Sequence, residues 1–428
     1  MVEDILLNLK LFAPESILIA VMVLLFLVDA IFPRLRSSFV PLLLVIVGCI
    51  VSAWCTYFVS TLPPTLYFSG FVASDPFNTF FRYLFLFACA VGSYIAYGSK
   101  ELEPGHRVEF LLLLLCVTFG LCLMSGSTHL LGLYIGIETV SIVSFVMAGL
   151  NRENLKSNEA SFKYFVFGAL ASGLMLYGFS LIYGYTGSLY YGEIANFLVS
   201  NQDRHSVVLI LAILMTYAGL AYKISSFPMH FWTPDVYEGA PTPITTFFAI
   251  GPKAAGFAAL VRILVDVFAS RNPEGGLQAL TPFSLVQAIA LLSAITMTLG
   301  NLSAISQKNV KRMLAYSSIA HVGYMLMGVV SLDAFGLQAI LFYLLAYCAM
   351  NLGAFWVASI MIDVTGQEDV DAFRGLGWSM PVLGVCMAIF LFSLTGIPLF
   401  AGFVGKFLLF AAVIKTPGFL WLAILAVL

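Results

Sequence analysis

The chain has 428 residues, 61% of them hydrophobic and only 10% charged, with a mean hydropathy of +0.99. That apolar share exceeds the roughly 45–50% of soluble globular domains and predicts an all-α polytopic membrane protein. A formal net charge of −2 leaves no basic or acidic surface of the kind that binds nucleic acid or an acidic substrate.

The N-terminal stretch MVEDILLNLKLFAPES places acids ahead of its only lysine and has no small-residue cleavage site. The first apolar run is therefore expected to stay as a membrane helix rather than be removed as a signal. At about 20 residues per span, helices are predicted near 14–32, 38–60, 77–97, 108–125, 129–149 and 160–185. They continue near 206–227, 242–268, 283–303, 311–330, 336–362 and 380–412. A last apolar run starts near Pro417 and stops at Leu428 with no polar flank, as expected of a chain cut short inside a thirteenth helix. The longest polar connections, 186–205 and 363–379, leave no room for a soluble domain, so 1–428 is read as a single membrane domain.

Basic residues orient these spans. With the N-terminus outside, the inside loops hold Arg34, Arg36, Lys100, Arg107, Arg152, Lys156, Lys308, Lys311, Arg312 and Arg374. The outside segments hold Lys10, Arg204, Arg271 and Lys415. An inside excess of positive charge predicts the N-out topology.

Seven cysteines (Cys49, Cys55, Cys89, Cys116, Cys122, Cys348 and Cys386) fall in apolar segments with no C-x-x-C spacing, the pattern of packing residues. The five histidines are scattered, and no zinc-binding helix motif, Gly-rich phosphate loop or nucleophile elbow occurs. No cofactor, metal or nucleotide is expected in this chain.

Charge inside the bilayer is the informative feature, since each such group costs roughly 2.5–3.5 kcal/mol at the centre of a span. Glu138, in LLGLYIGIETVSIVSF, lies deep in its predicted helix; the bland alternative is a protonated acid bonded to a neighbouring helix. Lys163 follows an inside loop closely and has two readings, relay group or interface anchor. Lys223 precedes Pro228 in KISSFPMHFW, where the proline removes a backbone donor and should interrupt the helix. Lys253, in FFAIGPKAAGFAAL, is too deep to snorkel. Lys406 follows Pro398 and Gly396 in LTGIPLFAGFVGKF, a second predicted break. Two interrupted helices at corresponding places point to inverted repeats, about 108–268 and 283–428, with an ion path near the midplane. A lysine's hold on its proton depends on burial and on the carboxylate beside it, so a chain of such groups can relay protons without a cofactor.

Three ordered blocks carry a resemblance: HFWTPDVYEGAPTPI at 230–244, KRMLAYSSIAHVGYM at 311–325 and GIPLFAGFVGKF at 396–407. They resemble the subunit N family of the proton-pumping NADH:quinone oxidoreductase, respiratory complex I, one of the antiporter-like membrane subunits. The TPDVY wording and Lys406 distinguish this type from the sister L and M subunits and from Mrp-type cation/proton antiporters. The resemblance implies an antiporter-like fold in a bacterial inner membrane and proton translocation driven by quinone reduction elsewhere. FMN, iron–sulfur clusters and quinone would lie in other subunits, and the partners would be sister antiporter-like subunits, smaller membrane subunits and the lipid bilayer.

By the same resemblance, Glu138 pairs with Lys223, Lys253 connects toward Lys406, and Lys163 is an additional relay lysine. His321 would help hydrate the path, with a packing histidine as the equal alternative. Pro252 departs from the small or hydroxyl residue that the family places before the connecting lysine, and the family has fourteen helices. Two other readings stand beside this one, a subunit of an Mrp-type antiporter and a membrane-arm scaffold that does not pump.

Overall fold

The computed structural model describes residues 2–201, 207–271, 277–280 and 285–427. Arg204 and the first positions of the spans predicted at 206 and 283 lie outside the described residues. Helices α1 (Val2–Leu11), α2 (Ala13–Ile31), α3 (Val40–Ser60), α4 (Pro76–Gly98), α5 (Pro104–Gly126), α6 (Leu130–Ala148) and α7 (Leu155–Thr186) come first. They are followed by α8 (Tyr191–Ser200), α9 (Val207–Ile224), α10 (Trp232–Gly239), α11 (Thr242–Phe248), α12 (Gly251–Asp266) and α13 (Leu285–Ile305). The remainder is α14 (Val310–Val330), α15 (Ala334–Thr365), α16 (Leu376–Ser379), α17 (Pro381–Thr395), α18 (Ala401–Lys415) and α19 (Leu420–Val427). Two small antiparallel hairpins, β1 (Thr65–Tyr67) with β2 (Val72–Ser74) and β3 (Ala269–Arg271) with β4 (Leu277–Ala279), are the strands among the described residues.

Among the described residues, eleven helical spans are long and apolar enough to cross a membrane, counting Thr242–Asp266 as one. The chain is thus an all-helical, multi-pass membrane protein. Lipid offers no hydrogen bonds to an exposed backbone, so helix ends need their own partners. Asp75 Oδ1 accepts from Asn78 N at 2.7 Å to start α4, Asn309 Oδ1 accepts from Arg312 N at 3.1 Å to start α14, and Asp333 Oδ1 accepts from Gly336 N at 2.7 Å to start α15.

The span predicted at 380–412 divides at its expected break into two shorter helices, α17 and α18, because Gly396 (φ +89°) and Leu399 (φ +88°) leave the helical region of backbone space. Two other predicted elements differ in the structure. The span at 242–268, read as continuous, is divided at Ala249 and Ile250 into α11 and α12. The polar connection at 186–205 contains a helix of its own, α8.

The chain clusters into two compact units, Met1–Val166 with Gly239–Ala259, and Phe167–Glu238 with Leu260–Leu428. In the first, α2 to α6 pack against one another, and α11, whose residues are all buried, packs against α4 and α6. In the second, α13 and α14 cross closely: a Cβ placed on Gly323 would stand 2.5 Å from Met297 N. Small residues permit such backbone approach, which drives helix association where no hydrophobic effect operates. Large apolar side chains such as Phe26, Phe165, Leu302 and Trp378 are exposed, as lipid-facing residues should be.

Candidate functional site

Glu138, Lys163 and Lys253 belong to the first unit, and Lys223, His321 and Lys406 to the second. Glu138 lies at the middle of α6. Its hydroxyl neighbours are turned onto their own helix, Thr139 Oγ1 donating to Ile135 O at 2.8 Å and Ser141 Oγ to Ile137 O at 2.7 Å. Glu138 Oε1 is buried and takes no hydrogen bond among the described residues. Lys163 Nζ pairs instead with Glu159 Oε1 at 2.7 Å, one turn back on α7, with both side chains partly exposed.

Lys253 is only 1% exposed and stands in the first turn of α12. Pro252 fits there because the first turn of a helix makes no use of the missing backbone donor. Upstream, Glu101 holds the start of α11, accepting from Thr242 N and, at 2.8 Å, from Thr242 Oγ1. Lys253 thus follows an interruption that the sequence reading did not anticipate.

Lys223, also 1% exposed, is the last residue but one of α9. Residues 225–231 then turn before α10, with Ser225 at φ +64°. Trp232 Nε1 donates to Tyr222 O at 3.1 Å, which satisfies one of the terminal carbonyls of α9. Phe227 N donates to Thr296 Oγ1 at 3.1 Å and so anchors the connector to α13.

Arg312 Nη1 lies 2.7 Å from Asp235 Oδ1 and 3.1 Å from Glu238 Oε2, clamping α10 to the first turn of α14. The acids of TPDVYEG and the arginine of KRMLAYSS therefore meet in space, which gives two of the three sequence blocks a common physical purpose.

Lys406 is partly buried in the second turn of α18. Its Nζ donates to Thr395 O, the last residue of α17, at 3.1 Å and lies 4.5 Å from the centroid of the Tyr324 ring. A cation at a helix C-terminus meets the negative end of the backbone dipoles, and the phenol face adds a second attraction. His321, 3% exposed, is hydrogen bonded through Nδ1 to Tyr343 Oη at 2.6 Å. Next to it Tyr347 Oη shares a hydrogen bond of 2.5 Å with Ser318 Oγ and accepts another from Asn351 Nδ2. Asn301 Nδ2 donates to Tyr324 Oη at 3.1 Å. His321 and Lys406 are thus brought into one polar neighbourhood through Tyr324 and Tyr343, while Lys223 sits at its own break.

The sequence reading passed over these tyrosines, the Arg312 clamp and a second buried pair. Arg82 Nε lies 2.7 Å from Glu15 Oε1, with side chains 1% and 2% exposed, and Arg82 Nη2 also donates to Tyr67 Oη at 3.1 Å. An arginine within an apolar span was the available signal, since such a group demands an acidic partner. Among the described residues no group of three or more His, Cys, Asp or Glu side chains is placed to hold a metal ion.

An all-helical membrane fold with lysines beside helix interruptions defines an antiporter-like membrane protein. Residues 127–428 match the family described as NADH:quinone oxidoreductase/Mrp antiporter, TM. A relative from Chloroherpeton thalassium, NADH-quinone oxidoreductase subunit N 2, is 42% identical over 422 residues, covering 97% of this chain and 81% of the relative. One from Sorangium cellulosum with the same name is also 42% identical, over 98% of this chain and 84% of its own. Among solved structures, a chain of respiratory complex I from Thermus thermophilus with bound aureothin superposes with a TM-score of 0.77. It is 32% identical, over 97% of this chain and 85% of that one. The chain belongs to the NADH-quinone oxidoreductase subunit N family.

Proposed function

We propose that this chain is a proton-translocating subunit in the membrane arm of an NADH:quinone oxidoreductase, passing protons through Glu138, Lys223, Lys253 and Lys406. Lys163 and His321 are auxiliary members of the path. Quinone reduction in other subunits, which also carry the FMN and iron–sulfur clusters, drives the transfer; no step is routed through a redox group here. The partners are sister antiporter-like subunits and small membrane subunits, and the setting is a bacterial inner membrane with the N-terminus outside, as the distribution of basic residues supports.

The observation that carries this reading is the placement of three lysines at three interruptions: Lys223 at the end of α9, Lys253 at the start of α12 and Lys406 just after the α17–α18 break. Interrupted helices expose backbone carbonyls and amides in which a proton-carrying group and water can be held. A lysine in that setting changes its proton occupancy when a neighbouring charge or carbonyl moves.

Lys253 tests the reading. Methionine keeps the approximate shape and removes the amine, and arginine keeps a charge that hardly loses its proton. Both are expected to cut NADH-driven proton uptake by inverted membrane vesicles about tenfold or more, with the complex assembled at normal abundance. A lysine kept for packing would tolerate methionine, because methionine also removes the cost of a charge in the bilayer. Unimpaired pumping by an assembled Lys253→Met complex contradicts the proposal.

A further inference from the structure

We propose that Tyr343 is a positioning residue of the relay: its hydroxyl sets the tautomer and ring orientation of His321, and its ring ties that orientation to the turn of α18 bearing Lys406. The inference rests on the reading of His321 and Lys406 as relay residues.

Three observations support it. First, His321 Nδ1 and Tyr343 Oη are 2.6 Å apart, and both residues are buried, at 3% and 0% exposure. A neutral imidazole has one donor and one acceptor nitrogen, and the bond made by one nitrogen decides which tautomer is present. When the Tyr343 hydroxyl donates to Nδ1, the neutral ring carries its proton on Nε2. When His321 gains a second proton, Nδ1–H must donate, and the tyrosine turns its own proton to another acceptor. The ring gains one proton and Tyr343 keeps its own, so each change of charge at His321 reverses the direction of this bond.

Second, the neighbouring phenol is engaged elsewhere. Tyr347, whose ring centroid lies 5.4 Å from that of His321, binds Ser318 and Asn351 through its hydroxyl. Third, the ring of Tyr343 lies directly against the backbone of α18: a Cβ placed on Gly405 would run into Tyr343 Cδ2. Gly405 immediately precedes Lys406, whose ammonium faces Tyr324, one turn after His321 on α14. A shift of α18 therefore cannot leave Tyr343, and with it the partner of His321, unmoved.

The test uses the assembled complex in inverted membrane vesicles, comparing wild type with Tyr343→Phe, His321→Gln and the double variant. Phenylalanine preserves the ring against Gly405 and deletes only the hydroxyl. Tyr343→Phe is expected to slow proton-coupled NADH:quinone turnover about tenfold, the usual scale for losing the partner that orients a functional imidazole. It should also enlarge the solvent deuterium isotope effect, which a purely structural ring would not, and it should add nothing on the His321→Gln background. Wild-type turnover and isotope effect in Tyr343→Phe, with His321→Gln slowed, overturn the positioning role and leave the relay standing. Wild-type pumping by His321→Gln overturns both the positioning role and the place of His321 in the path. If Tyr343→Phe lowers assembly, 4-fluorophenylalanine in place of Tyr343 fills the hydroxyl's space without donating; slowed turnover with it supports the proposal, and normal turnover overturns it.

Discussion

At the scale of single residues, the cost of burying charge separates two kinds of site. Arg82 is fully covered and held by the Glu15 carboxylate, Tyr67 Oη and, at 3.4 Å, Leu11 O, so its charge is paired with an acid, while its Nη1 takes no hydrogen bond among the described residues. Removing one partner of such a pair strands the other and costs about 3–5 kcal/mol. Arg82→Met is therefore expected to destabilise the subunit strongly in detergent thermal-unfolding assays, and Glu15→Gln on that background to recover most of the loss. Equal and additive losses would show that the pair is not the source. Glu138 is the contrasting case: its buried Oε1 takes no hydrogen bond among the described residues. Glu138, Lys223, Lys253 and Lys406 could be picked out beforehand because a charge within an apolar run is conspicuous in one dimension. Tyr343 could not, because a tyrosine in an apolar helix has no distinguishing context, and its partner lies 22 residues away on another helix.

At the scale of elements, the membrane spans were readable because lipid dictates both their length and their composition. Predicted 129–149 became Leu130–Ala148, and predicted 311–330 became Val310–Val330. The interruption at Ala249–Ile250 escaped although its signal was present: Pro252 offers no backbone N–H and its ring would clash with the carbonyl of Phe248 four residues back, so the Gly251–Pro252 pair closes α11 and opens α12. Helix α8 escaped because ten residues of mixed polarity resemble a loop. Two interruptions carry a non-glycine residue at positive φ, Ser225 and Leu399, a conformation costing about 1–3 kcal/mol each and retained chiefly where neighbouring structure enforces it.

The Arg312 clamp is one such enforcement, since it fixes α10 just beyond the connector that contains Ser225. Arg312→Gln is expected to speed backbone amide hydrogen exchange across Trp232–Gly239. Arg312→Lys should give a smaller increase, because an ammonium lacks the planar fork that meets two carboxylates. Unchanged exchange in α10 would show that the clamp holds nothing. Its three side chains are 25–32% exposed, so the effect on global stability should stay near or below about 1 kcal/mol.

At the scale of the whole molecule, translocation requires the buried groups to act as one system rather than as separate packing compromises. The most direct measurement is a double-mutant cycle on Glu138 and Lys223 in the fully assembled complex. NADH-driven proton uptake and quinone reduction are recorded for Glu138→Ala, Lys223→Ala and the pair, with assembly quantified alongside. Groups that depend on each other for their charge lose function together, so each single variant should fall severely and the double variant scarcely further. Strictly additive losses, or normal pumping by either single variant at full assembly, would contradict the relay.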